Sequence, residues 1–390
     1  THTDDDAVSN IYLDNGYLFF TLIPIEQNIK GDSIALQMRI IEGPQAKINK
    51  VVINGNDQLF EKVIRRELRI RPGELFSRQD IIRSVREIAA SGHFNPETIN
   101  PDVQPNENDG TVDIVLDLES KANDKVQLSF GWGQSGVTGQ VALSFSNFSI
   151  KNLFNPGSYR GIIPRGEGQT FTISAQTNAR YYQMYSVSFL DPWFGGKRPN
   201  SLSVSFDYSR STGINSSFYT NNYYNAMMNQ MWNVGGTMNY NYNYYQNAYD
   251  PNKVLQMAGV SLGFGTRLSW PDDYFRFQAM LSYRWYYLKN WEYLYYMNNG
   301  VSNALTLGLS LSRESIDQPI YPRRGSSFTV DLTMTPPASL FSGRKNWAEL
   351  SRLASRSTPG ISTETREAAQ KEIYKWIEYW KLKFKSKTYT

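Results

Sequence analysis

The segment Val126-Gln127-Leu128-Ser129-Phe130-Gly131-Trp132-Gly133 alternates without a break, with a large apolar side chain at every even position and a small or polar one between. Period two is the signature of a strand with one apolar and one wet face. The same alternation recurs at Val141/Leu143/Phe145, Phe171/Ile173/Ala175, Tyr185/Val187/Phe189 and Leu202/Val204/Phe206/Tyr208. It continues at Val260/Leu262/Phe264/Leu268, Phe275/Phe277/Leu281/Tyr283/Trp285, Leu305/Leu307/Leu309/Leu311 and Phe328/Val330/Leu332/Met334. The residues between are mainly Ser, Thr, Gln, Asn, Gly and Arg. Each segment has about the 9–11 residues that carry a tilted strand across a bilayer, whereas strands of soluble sheets have about five or six. The spacing predicts a transmembrane β-barrel over residues 125–390.

Composition agrees once the period is known. A mean hydropathy of −0.49 would suit a soluble protein, but only alternate residues of a barrel strand face lipid. No run approaches the roughly 18 apolar residues of a membrane helix. Aromatics reach 14%, with 26 Tyr, 20 Phe and 9 Trp, as the interfacial girdles of a barrel require. Cysteine is absent, which excludes a disulfide framework, a thiol nucleophile and Cys-based metal sites. Lys+Arg 40 against Asp+Glu 36 gives no basic excess for nucleic acid.

The connections give the polarity. If the strand at Val126 runs outward, the inner turns are 152–168, 191–200, 271–274 and 314–325, and the long outer loops are 212–256, 289–301 and 336–370, the asymmetry expected of a barrel. Alternation at Met238, Tyr240, Tyr242 and Tyr244 is read as an outer hairpin, because a spanning strand there would reverse the parity. A last strand at 374–385 carries Trp376, Trp380, Leu382 and Phe384 on one face, interrupted by Glu378, and Lys375, Lys381, Lys383 and Lys385 on the other. That makes about ten strands with no closing strand, which lipid does not tolerate. We therefore read the chain as truncated there, and as trimmed at the start, where Thr-His-Thr-Asp-Asp-Asp lacks the regions of a signal peptide.

The first 121 residues follow another pattern. Residues 45–122 read as strand, helix, helix, strand, strand: a strand at 46–53 ending at Asn54-Gly55-Asn56, a helix with Phe60, Val63, Ile64 and Leu68 on one face and stopped by Pro72-Gly73, and a second helix that opens at Ser77 with Asp80 and turns Ile81, Val85, Ile88 and Ala89 inward. Gly92 ends that helix. Strands at 98–103 and at Val112/Ile114/Leu116/Leu118 close the unit. Residues 1–44 resemble the second half of such a unit: Asn15-Gly16-Tyr17-Leu18 parallels Ser91-Gly92-His93-Phe94, and Gly31-Asp32-Ser33-Ile34 parallels Asp109-Gly110-Thr111-Val112. A repeat met in its middle implies an array.

Candidate chemistry is sparse. Gly131-Trp132-Gly133-Gln134-Ser135-Gly136 matches G-x-G-x-x-G, yet a dinucleotide site needs a helix after the third glycine, and a further strand follows; the glycines mark a weakened strand end and a tight turn. His2 and His93 are the only histidines, and no G-x-S-x-G elbow occurs. We expect no enzyme, no catalytic or metal-binding residues and no cofactor. Arg267, Arg276, Arg284, Lys381, Lys383 and Lys385 face inward, where they hold a loop, pass anions, or only keep a lumen polar.

The order of elements resembles the BamA family of outer-membrane protein assembly factors, in which polypeptide-transport-associated (POTRA) repeats precede a barrel. The resemblance rests on residues 46–121, on the strand that follows almost without a linker, and on the turn motifs Asp191-Pro192-Trp193-Phe194 and Tyr321-Pro322-Arg323-Arg324-Gly325-Ser326. That family's inward loop and last strands have no counterpart here, and the 212–256 insert is longer than expected. The resemblance implies α+β repeats followed by an antiparallel barrel in the outer membrane of a diderm bacterium, with the repeats in the periplasm. It implies insertion of other barrel proteins, received at sheet edges of the repeats and templated at a lateral seam formed by Val126, Gln127, Leu128, Ser129, Phe130, Gly131 and Trp132. Its implied partners are unfolded outer-membrane proteins, membrane lipid and periplasmic accessory lipoproteins; no nucleic acid is implied. A polypeptide-secreting pore of the same superfamily, or a passive porin or receptor, is the alternative.

Overall fold

The computed structural model describes residues 8–30, 33–106, 108–133, 136–159, 163–178, 181–196, 198–214, 249–291, 297–316, 324–341, 346–355 and 357–389. The expected hairpin at 238–244 and Tyr321-Pro322-Arg323 lie outside them. The chain forms two units, one of residues 1–124 with 146–169, the other of residues 125–145 with 170–390.

In the first unit, β3 (Lys47–Asn54), α2 (Glu61–Arg65), α3 (Arg78–Ala90), β4 (Asn100–Asn106) and β5 (Thr111–Asp117) follow one another. The sheet order is β3-β5-β4, with β5 parallel to β3 and antiparallel to β4. Central β5 alternates because one face is covered: Val112, Ile114 and Leu116 are fully buried against Ile48, Val51, Val63, Ile64, Ile81 and Ile88. Ser77 caps α3 by accepting from the Asp80 N–H at 3.2 Å. Asn54-Gly55-Asn56 turns because Gly55, at φ +73°, lies against the Leu118 carbonyl, where no side chain fits.

Two expectations shift. The first helix ends at Arg65, not near Leu68, because the chain turns to let the Arg69 N–H donate to Ser84 Oγ at 2.8 Å. Leu68 stays in the core. Ser84, fully buried, also donates to the Asp80 carbonyl at 2.7 Å, a polar joint between helices that apolar periodicity does not reveal. The strand expected at 98–103 is β4, at Asn100–Asn106.

Ahead of this repeat, α1 (Val8–Asp14) leads through Gly16, at φ +90°, into the antiparallel pair β1 (Thr21–Lys30) and β2 (Ser33–Ile41). The same succession runs from α3 through Gly92, at φ +72°, into β4 and β5.

Residues 146–169 fold with the repeat. Asn147 Oδ1 accepts from the N–H groups of Gly166 and Gly168, both at 3.1 Å, while its amide donates to the Gln58 carbonyl at 2.9 Å. The Phe60 N–H donates to the Gly166 carbonyl at 2.9 Å, and the Phe60 ring occupies the space a side chain at Gly166 would need. Lys62 pairs with the buried Glu167 at 2.6 Å, Arg66 donates to the Glu167 carbonyl at 3.2 Å, and Arg165 pairs with Asp124.

His93 sits close to Gly168 and Val63. Burial first, and then the Arg66 charge, push its imidazole below the usual histidine range. The unfolded chain takes up this proton as pH falls through about 6.5, while the folded state resists it. Stability contributed by neutral His93 is therefore complete at higher pH and declines as pH drops below that value. Melting of the N-terminal unit is expected to fall between pH 7 and pH 5, and the fall to shrink in His93→Gln; an equal fall in both would show that other groups carry it.

The second unit is one sheet of ten strands, β6 (Lys125–Gly133), β7 (Gly136–Phe148), β8 (Gln169–Asn178), β9 (Tyr182–Asp191), β10 (Ser201–Ile214), β11 (Tyr249–Arg267), β12 (Phe275–Lys289), β13 (Gly300–Ile316), β14 (Gly325–Met334) and β15 (Trp380–Tyr389). Each pairs only with its neighbours in sequence. One face carries the apolar alternation, exposed at Val187, Val204, Phe206, Val260, Leu262, Leu281, Leu382 and Phe384. None of the described helices is long and apolar enough to cross a membrane. Asp191-Pro192-Trp193-Phe194 makes the β9–β10 turn: Asp191 Oδ1 accepts from the Trp193 N–H at 3.0 Å, and the Phe194 N–H donates to the Asn200 carbonyl at 2.7 Å.

The last strand begins at Trp380, not Tyr374. The connection before it holds α4 (Ala338–Phe341), α5 (Trp347–Ala354) and α6 (Thr363–Ile373). Trp376 makes only an isolated bridge to Asn303, and Glu378 receives the Ser339 N–H and hydroxyl at the start of α4. The charge that interrupts the apolar alternation thus serves a helix end.

Candidate functional site

At the β6 edge, turn length fixes which backbone groups face outward. Gly133 pairs with Gly136 across a two-residue turn, and such a pair exchanges both hydrogen bonds. The other side of β7 agrees: the Asn147 carbonyl accepts from Gly166 N–H at 3.1 Å, and the Ser149 N–H donates to Pro164 at 3.0 Å, so odd residues of β7 turn away from β6. Even residues of β7 therefore bond Lys125, Gln127, Ser129, Gly131 and Gly133. Val126, Leu128, Phe130 and Trp132 direct their N–H and C=O groups to the side where, among the described residues, the sheet has no further strand.

These four side chains lie on the apolar face, 68%, 60%, 76% and 79% exposed. Such exposure of neighbouring large apolar groups is costly in water. Gly139 stands opposite Phe130, whose ring lies 3.7 Å from the position of an added Cβ. All seven seam residues share one strand, as their alternation implies, and their backbone groups divide into two sets that alternation does not reveal.

The basic residues are not gathered into one site. Arg267 and Arg276 are cross-strand neighbours at one end of β11 and β12. Arg284 lies further along, 3.6 Å from Asp207 across Gly259, where a side chain would strike the Asp207 carboxylate. Lys381, Lys383 and Lys385 lie on β15, beside Thr333, Asp331 and Thr329. Arg313, which periodicity hides because it falls in the apolar register, pairs with Asp272 at 2.9 Å and lies 5.8 Å from the ring centres of both Tyr274 and Phe275. A charge among aromatic rings at a strand end suits a membrane interface.

Comparison with known proteins agrees with this arrangement. Residues 46–121 match the POTRA family, described as a surface antigen variable number repeat, and residues 165–390 match the Omp85 superfamily domain. The chain is 24% identical over 204 residues to a putative outer membrane protein assembly factor of Treponema pallidum, covering 52% of this chain and 22% of that protein. It is 25% identical over 216 residues to outer membrane protein assembly factor BamA of Nitratidesulfovibrio vulgaris, covering 54% of this chain and 25% of that one. The chain thus spans about a quarter of the length of these curated relatives. The crystal structure of BamA from Haemophilus ducreyi lacking POTRA domains 1–3 matches with a TM-score of 0.52 and 16% identity, over 85% of this chain and 56% of that one. With a POTRA repeat ahead of a β-meander whose match to the superfamily domain covers more than half its residues, the chain belongs to the Omp85 superfamily.

Proposed function

We propose that this chain folds and inserts β-barrel proteins into the outer membrane, with β6 as the strand on which a client's first strand forms. The observation that carries the reading is the outward row of Val126, Leu128, Phe130 and Trp132, whose backbone groups face away from the rest of the sheet and contain no proline. An exposed row of this kind gives sequence-tolerant affinity through the backbone, which an insertase with many clients needs. Periplasmic lipoproteins and membrane lipid are the expected partners. The domain reading is a partial repeat at 1–44, a complete one at 45–122 and barrel from 125; the polar face of the sheet, with Arg267, Arg276, Arg284, Lys381 and Lys383, lines its lumen.

Depletion tests this reading against a secretion pore. Loss of an insertase lowers many outer-membrane proteins together; loss of only one exported polypeptide would replace the proposal with secretion. Orientation has its own expected result. A cysteine at Ser339, in α4, labels from outside intact cells, and one at Asp272, in the β11–β12 turn, does not. Reversed labelling would turn the barrel over. The equivalent positions Ser217 and Arg323 lie outside the described residues.

A further inference from the structure

We infer that the sheet of the repeat at 46–121 is closed to strand addition on both edges, so that a client adds its strand at β6 and not at this repeat. This rests on the insertase reading and narrows it, because sheet edges of the repeats were the expected receiving surfaces.

Backbone parity again sets which groups each edge presents. The Lys47 N–H donates to the Gly110 carbonyl at 3.2 Å and the Leu118 N–H to the Asn54 carbonyl at 3.1 Å, so even residues of β5 face β3. Odd residues Thr111, Asp113, Val115 and Asp117 therefore bond Asn106, Gln104, Asp102 and Asn100 of β4. Pro101, Val103 and Pro105 face outward. Two of these three have no N–H, so the edge offers three carbonyls and one donor. Proline is admitted to an edge strand with its missing donor turned to solvent, and there it prevents a ladder from continuing.

The β3 edge is covered by its own chain at Ile48 and Val51. Ile48 donates to the Glu74 carbonyl at 2.9 Å and accepts from the Gly73 N–H at 2.7 Å, and the Val51 carbonyl accepts from Arg65 at 3.2 Å. An incoming strand would have to displace these groups. On β6, no group among the described residues pairs with the outward side of Val126, Leu128, Phe130 and Trp132, and none of the four is proline.

The test is site-specific photocrosslinking in cells expressing the full-length protein, with the probe at Gln104 on β4 or at Gln127 on β6, during synthesis of an abundant barrel client. Clients are expected to cross-link at Gln127 and not at Gln104. In Pro101→Ala/Pro105→Ala, two outward donors return, and capture at Gln104 should rise roughly tenfold, as two added backbone hydrogen bonds allow. Capture at Gln104 in the unaltered chain equal to that at Gln127 overturns the inference. So does the absence of any gain in the double variant while Gln127 still captures. Loss of capture at both positions in both proteins would overturn the insertase reading as well.

Discussion

Leu128→Pro is expected to reduce client assembly by about tenfold or more while leaving the barrel's own heat-modifiable folding near normal. The N–H of Leu128 faces outward, so proline removes a donor that β6 does not use in its pairing with β7. Leu128→Ala keeps that donor and loses a comparable apolar side chain, so it isolates the backbone term; its effect should be small. Ser129→Pro makes the complementary control. Ser129 pairs with Gln140 inside the sheet, and proline there should damage self-folding and client assembly together. Assembly assays and gel-shift folding assays on the three full-length variants give the comparison. Equal losses from Leu128→Pro and Leu128→Ala would remove backbone templating from the mechanism.

The largest stability effect is expected in the repeat. Ile81 is buried between α3 and the sheet, whereas Val85, one turn later, packs only partly against the same core. Ile81→Asp places a carboxylate among apolar side chains without a cation to meet it, at a cost of about 4 kcal/mol or more. That is a large share of the roughly 5–15 kcal/mol by which a domain is stable. Val85→Asp keeps access to water and should cost about 1–2 kcal/mol. Hydrogen exchange of β3 and β5 amides in the detergent-solubilised protein separates them: full loss of protection in the first, partial loss in the second. Matching protection would mean that α3 does not face the core as assigned.

The sheet was legible in the sequence wherever a strand divides two unlike media. Val126 to Trp132, Phe275 to Trp285 and Leu305 to Leu311 each keep the alternation through their length, and all lie in strands of the ten-stranded sheet. Residues 374–379 were misread as strand because Trp376 and Trp380 share a period that Glu378 breaks, and the partners of Glu378 lie 39 residues away at α4. The first helix was read too long because its apolar spacing continues to Leu68 after the backbone has turned. The seam was legible as a strand, but its outward set needed register. Its key, the two-residue turn between Gly133 and Gly136, was present in the sequence and unused. Pro101 and Pro105 were equally visible, yet they acquire meaning only once β4 is known to be an edge. That Arg267, Arg284 and Lys383 lie on separate strands followed from the sequence; their neighbours, such as Asp207 beside Arg284, did not, since alternation gives a face and not a position.

The fold of residues 146–169 with the repeat makes the N-terminal unit discontinuous in the chain. Leu59, Phe60, Val63 and His93 lie about a hundred residues or less before Gly166 and Gly168 in the chain, yet pack against them. The repeat's last layer is therefore supplied by residues that follow β6 and most of β7 in the chain, so residues 1–124 do not complete the N-terminal unit by themselves. A fragment cut at Asp124 would lack that layer and expose an apolar surface around Phe60, with Lys62 deprived of Glu167.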